Sequence, residues 1–258
     1  MDLQLNGKHV LVTGASKGIG RAIALAFSAE GAKLTLAARS QDGLQAVIDE
    51  IASLGAEADF IVADLSTEAD REKLIAARPD IDILVNNAGA IKAGPATAVT
   101  MQDWRDGFEL KVWGYIHLTL GFLPKMRARG AGTIINIIGM GGRATRPSYV
   151  IGAAGNAALI GFTQAMGATS PDDQVRVFGI NPSPTLTDRM VTRFRGEAER
   201  ELGDAERWEE MVGKVDFPFG RPKSAEEVAS LTVMLASPRV HYLSGTVVDM
   251  DGGGQWRG

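Results

Sequence analysis

Residues 12–20, VTGASKGIG, set a short apolar run directly before glycines at 14, 18 and 20. The run 9–13 has the continuous apolar character of a strand buried on both faces, and a helical pattern over 19–30 follows at once. Strand, glycine turn and helix in that order bring backbone N–H groups and the positive end of a helix to one point, which suits a pyrophosphate. The residues expected to face such a group are Gly14, Ser16, Lys17, Gly18, Ile19 and Gly20.

Working outward, further apolar runs at 33–37, 59–62, 81–85, 133–138, 175–180 and 246–248 read as buried strands. Helical stretches at 41–53, 67–77, 101–129, 148–169 and 224–236 fall between them. The alternation predicts a doubly wound, seven-stranded, mostly parallel α/β sheet with helices on both faces, in one domain over 1–258. Only 187–216 departs from it, being polar and charge-rich with apolar anchors at Met190, Phe194, Trp208 and Met211. It reads either as two solvated helices or as a lid over the cleft at the carboxyl ends of the strands, and the lid is the expectation carried forward.

Composition narrows the function. With 45% hydrophobic and 22% charged residues and a net charge of −4, the chain has no basic excess to attract nucleic acid or an anionic membrane. It has no cysteine, hence no thiolate chemistry, and no spacing of metal ligands, so no metal is expected. No export signal or 18-residue apolar segment is present, which makes the cytoplasm the default location.

The second strand ends in LAARS at 36–40, with Ala38 where an acidic residue would hold a ribose 2′-hydroxyl and Arg39 beside it. An arginine there suits a 2′-phosphate, with Lys17 in reach to assist, so NADP(H) is favoured over NAD(H).

TGASKGIG at 13–20, AD at 63–64, NNAG at 86–89, NPSPTLT at 181–187 and DGG at 251–253 together resemble the short-chain dehydrogenase/reductase family, across essentially the whole chain. The resemblance implies a Rossmann-type subunit in which Asp64, followed by Leu65, meets the adenine. It also implies that Asn86, Asn87, Ala88 and Gly89 stabilise the central sheet beside the cofactor, and that Thr185 and Thr187 reach the nicotinamide amide. Ser183 stands where the family often has glycine. Association through the two long central helices would give a homodimer or homotetramer acting on a small molecule.

The family's catalytic positions are differently occupied. Its Tyr-x-x-x-Lys pair precedes a segment resembling AALIGFTQAM, which puts Gly152 at the tyrosine and Asn156 at the lysine. Its serine, thirteen residues before the tyrosine, falls on Gly139, and its helix-kinking asparagine falls on Lys111 in GFELKVWG. Moving a proton to or from a carbonyl oxygen needs a positioned group of tuned pKa, which glycine lacks.

Tyr149, three residues before Gly152 and on a similar helical face, is the candidate relocated donor. Lys111 is the candidate positive charge and Asn156 a candidate partner for a ribose hydroxyl. Taken singly, Tyr149 also reads as a residue packed at a helix start, and Lys111 as one that snorkels to solvent. The leading reading is thus an NADP(H)-dependent oxidoreductase with a non-standard donor. The alternatives are a non-redox enzyme (lyase, isomerase or dehalogenase-like) with Arg143 and Arg146 holding an anionic substrate and His117 as a possible base, or an inactive cofactor-binding sensor.

Overall fold

A computed structural model describes residues 1–256. The chain runs β1 (His9–Thr13), α1 (Gly18–Ala29), β2 (Lys33–Ala38), α2 (Gln41–Ser53), β3 (Ala58–Val62), α3 (Glu68–Ala77) and β4 (Ile83–Asn86). It continues through α4 (Met101–Gly107), α5 (Gly114–Arg129), β5 (Gly132–Ile137), α6 (Val150–Thr169) and β6 (Val175–Pro182). The last elements are β7 (Thr185–Leu186), α7 (Asp188–Leu202), α8 (Trp208–Gly213), β8 (Lys223–Ser224), α9 (Ala225–Ala236) and β9 (Val247–Met250).

Seven strands form one sheet in the order β3-β2-β1-β4-β5-β6-β9. Every neighbouring pair in it is parallel. This is the Rossmann-type doubly wound α/β fold, with strand order reversing between β1 and β4. The inner strands are apolar because helices cover both faces: β4 is buried throughout, whereas the edge strand β3 leaves Asp59 and Val62 exposed. One core layer lies between the sheet and α1, α2 and α9, built on Phe27, Leu44 and Val233, and the other joins Leu74, Phe122 and Met126 to the opposite face.

Local chemistry sets the helix starts. Ser40 Oγ accepts from Gly43 N–H to begin α2, and Thr100 with Asp103 and Ser224 with Glu227 form reciprocal capping boxes on α4 and α9. The first turn of α1 has no side-chain cap. Its free N–H groups point to the end of the sheet where the strand order reverses, the usual ligand crevice of such sheets.

Three features differ from the sequence expectation. The expected helix over 101–129 is interrupted by a π-helical turn, Phe108–Trp113, between α4 and α5. β7 and β8 form an additional two-stranded parallel ladder, too short for any periodicity to announce. The fourth strand begins two residues later than expected, because Asp82 uses its backbone N–H on His9 O and its carboxylate on His9 N–H.

α6 approaches β6 closely through Gly167, where an added Cβ would overlap Gly245 N and Val177 O. Gly167→Ala is expected to destabilise the protein by about 1–3 kcal/mol, since neither obstacle is a flexible side chain. A lowered denaturation midpoint in urea at unchanged slope is the readout, and an unchanged midpoint would refute the close approach. Among the described residues no helix is long and apolar enough to cross a membrane.

Candidate active site

The glycine turn follows β1 and bends back through left-handed conformations at Gly14 (φ +65°) and Gly18 (φ +56°). A Cβ on Gly14 would stand 2.9 Å from Ala88 Cα, and one on Gly20 would overlap Gly14 O. Thr13 ties this turn to the end of β4: its hydroxyl donates to Val85 O (3.2 Å) and accepts from the N–H groups of Asn87 (2.9 Å) and Ala88 (3.1 Å). Asn87 Nδ2 returns the tie by donating to Thr13 O and Gly14 O. One strand away, Asn86 Nδ2 donates to Asn136 Oδ1 and Asn136 Nδ2 to Thr163 Oγ1, linking β4, β5 and α6.

These observations test the fit of a dinucleotide. Bare backbone, an uncapped helix start and a rigid second wall leave room for a pyrophosphate and donors to meet it. Lys17 and Arg39 are exposed beside it. Neither makes a side-chain hydrogen bond or ion pair with the described residues. Burial pushes the Asp64 carboxyl up, but hydrogen bonds from the Ser66 hydroxyl and N–H, with Arg39 nearby, leave it below its ordinary value.

Ser16 packs against Gly43, and Ile19 lies against the core. Leu65 is a core residue whose carbonyl accepts from Arg71 Nη1. The residues therefore suit a dinucleotide, with Leu65 offering no side chain to it.

Thr185 and Thr187 lie on the segment that closes the crevice. Thr185 Oγ1 donates to Ser183 O (2.9 Å), and the Thr187 methyl lies 3.4 Å from where a Cβ on Gly18 would be. Sequence reasoning missed the residue that fixes this segment. Lys223 Nζ donates to Ser183 Oγ (2.9 Å) and Met250 O (2.6 Å), and burial pulls its pKa to about 8. A polar residue at 183 in place of the family's glycine was the only sequence hint of such a partner.

The catalytic candidates converge on the loop after β5. Tyr149 precedes the first turn of α6, and its ring lies over Gly152: a Cβ there would overlap Cε1 and Cζ of the tyrosine. A Cβ on Gly141 would also stand 3.1 Å from Cδ1 and Cε1 of the same ring. The phenol thus packs against two glycines, and glycine is required at 152 because the tyrosine occupies that side-chain space. The hydroxyl has no hydrogen-bond partner among the described residues, and burial raises its pKa while Arg189 lowers it.

Lys111 does not snorkel. The π-helical turn carries it inward, where it is buried and Nζ donates to Ile138 O at 2.5 Å. Burial, with a contribution from the charge on Arg189, pulls its pKa to about 7. Its neighbour Tyr115, 6.0 Å from Nζ at the ring centroid, donates to Ile137 O and is held protonated by burial and by Tyr149.

Asn156 is 2% exposed with its Oδ1 unpartnered, and its Nδ2 lies 3.2 Å from a Cβ built on Gly139. A buried orphan amide marks a place where a hydroxyl or water completes the hydrogen bonding.

Other candidates are engaged elsewhere. Arg143 Nε pairs with Asp249 Oδ1 at 2.9 Å, which also accepts from Asn181 Nδ2, so this arginine braces β9. His117 pairs with Glu72 on the outer face of α5, away from the loop after β5. Arg146 is exposed and its side chain has no partner among the described residues. Arg189, at the start of α7, was read only as part of a charged insertion, yet its Nη2 donates to Gly89 O at 2.8 Å.

A doubly wound sheet with a glycine turn, a rigid Asn-Asn-Ala-Gly wall and an open helix start defines a dinucleotide-binding α/β protein. The chain matches the short chain dehydrogenase family over residues 8–198 and belongs to it. It is 33% identical to an uncharacterized oxidoreductase of Bacillus subtilis (strain 168), covering 98% of both chains. It is 30% identical to 7alpha-hydroxysteroid dehydrogenase of Escherichia coli (strain K12), covering 98% of this chain and 96% of the relative. The solved structure of L-sorbose reductase from Gluconobacter frateurii with NADPH and L-sorbose superposes with a TM-score of 0.92, at 30% identity and 98% coverage of both chains. The similarity over the full length is to oxidoreductases.

Proposed function

We propose that this protein is an NADP(H)-dependent oxidoreductase of a small carbonyl or alcohol substrate, in which the phenol of Tyr149 takes the place of the family's catalytic tyrosine. The observation that carries this reading is the ring of Tyr149 filling the side-chain space of Gly152. Gly139, Gly152, Asn156 and Lys111 then occupy the four positions that in the family hold serine, tyrosine, lysine and asparagine.

The dinucleotide, when bound, supplies or accepts the hydride. The chain's own residues do the rest. Tyr149 O–H donates to the substrate oxygen where negative charge develops and hands over its proton. The guanidinium of Arg189 favours the phenolate that remains. Lys111, when protonated, adds positive charge at the root of the loop carrying Gly139 and Gly141. Asn156 offers its unpaired amide oxygen to a ribose hydroxyl.

The short turn Gly14 to Gly20 holds the pyrophosphate, and Arg39 with Lys17 holds the 2′-phosphate. That L-sorbose reductase is solved with NADPH supports this choice. α7 and α8, packed on each other through Met190, Phe194 and Met211, act as the cover of a single domain. Trp113 and Leu120, half exposed on and beside α5, supply an apolar face for the family's mode of association.

The direct test is NADPH titration by fluorescence, followed by loss of nicotinamide absorbance against aldehydes, ketones and quinones. Tight binding with no turnover of any carbonyl would overturn the reading. For the cofactor arm, Arg39→Ala is expected to raise the Kd for NADPH by about ten-fold or more and leave that for NADH nearly unchanged, because only the former loses charge-assisted hydrogen bonds. Equal weakening of both would remove Arg39 from the 2′-phosphate.

A further inference from the structure

Of the four arginines of α7, Arg189 is the one whose guanidinium reaches the wall of the crevice. Arg193 pairs with Glu197 and Arg195 with Glu206. Arg189, one turn nearer the crevice, has no acidic partner among the described residues and spends one Nη2 hydrogen on Gly89 O. Gly89 is also where Lys111 passes: a Cβ on that glycine would lie 3.2 Å from Lys111 Cδ. Arg189 and Lys111 thus flank the same backbone, one from the covering helix and one from the π-helical turn. Lys111 is likewise without a carboxylate among the described residues, its amine donating to Ile138 O.

The guanidinium bound to Gly89 O and the Lys111 amine, desolvated on Ile138 O, have no anion paired with either among the described residues, and Arg189 depresses the charge on the buried lysine. The phosphates of a dinucleotide belong to the glycine turn and to Lys17 and Arg39, so they leave this pair unmatched. The nicotinamide and its ribose bring no negative charge to this wall, so the anion that would match the pair is the substrate's. Arg189's free guanidinium edge offers parallel donors of the kind that grip a carboxylate.

Building on the oxidoreductase reading above, we propose that the substrate is an anion, a carbonyl compound or alcohol that also bears a carboxylate, and that Arg189 together with Lys111 is the specificity-determining grip on that carboxylate. Selection then works in two directions. An oxo acid gains the grip, while a neutral ketone leaves Arg189, and Lys111 wherever it is protonated, without a counter-charge.

The experiment uses NADPH-loaded enzyme with 2-oxobutyrate, acetoacetate and levulinate, each beside its methyl ester. Binding is read by NADPH fluorescence and turnover by absorbance. At least one acid is expected to bind about ten-fold or more tightly than its ester, the effect of one hydrogen bond to a charged group. Arg189→Met should bring that ratio to near one, with the NADPH Kd unchanged, and Arg189→Lys should keep part of it.

Acids that bind preferentially without consuming NADPH would uphold the anion grip and overturn the oxidoreductase reading. Esters that bind and react as well as the acids would do the reverse. If neither member of any pair binds, or if Arg189→Met weakens NADPH as much as it weakens the acid, the grip on a substrate carboxylate is refuted.

Discussion

Tyr149→Phe is expected to lower kcat/KM for carbonyl reduction by about 10²–10⁴, the usual contribution of a positioned proton donor, while leaving NADPH affinity within about two-fold. The change removes one oxygen and keeps the ring against Gly141 and Gly152. A second variant separates chemistry from packing. Gly152→Ala adds a methyl group inside the space of that ring, so it should displace the phenol and cost a comparable factor while every side chain of the site remains.

The exchange variant, Tyr149→Gly with Gly152→Tyr, returns a phenol to the same space from the neighbouring turn of α6 and should recover part of the loss. Activity unchanged in Tyr149→Phe would remove this residue from the mechanism.

Lys111→Met is expected to cost about a hundred-fold in kcat/KM at pH 6 and less at pH 9, because the missing charge is present in the parent only at low pH. Burial and Arg189 pull the Lys111 pKa to about 7, so the cation proposed to assist reduction is full below that value and is lost as pH rises through it. The charged group acting on it is Arg189, which depresses it further, and the Tyr115 ring lies 6.0 Å from its Nζ. In the parent, kcat/KM for reduction should fall through pH 7; in Lys111→Met that limb should be absent.

Stability has the opposite dependence. The folded pKa lies below the unfolded value of about 10.4, so the unfolded chain holds more protons between pH 7 and 10 and stability rises over that range. Removing the lysine should abolish the rise and make the variant relatively more stable at pH 6. A parent profile flat through pH 7 in both measurements would show that Lys111 does not titrate there.

The sheet and its helices were legible in the sequence because buried parallel strands read as unbroken apolar runs and each helix between them carries its own period. The glycine turn was legible too, since positive φ and close approach leave glycine as the residue that fits. Tyr149 was placed from spacing alone, three residues from Gly152. The reason for that glycine was not, because it lies in a ring overhead rather than in the helix.

For Lys111 the sequence leaves two readings open, a partly desolvated charge and a side chain that snorkels to solvent. A regular helical count leaves open a path to solvent, whereas the π-helical turn rotates the side chain inward. Arg189 and Lys223 were invisible for a different reason. Each sits in a polar stretch, and only the fold brings it to Gly89 or Ser183.

Gly139 holds φ at +125°, a region that residues with a side chain rarely enter. A hydroxyl cannot simply be grafted there by exchanging one letter for another, for the main chain would first have to be rerouted between β5 and Tyr149. Installing a serine at this bend is thus a matter of rebuilding the loop that carries it rather than of exchanging one residue.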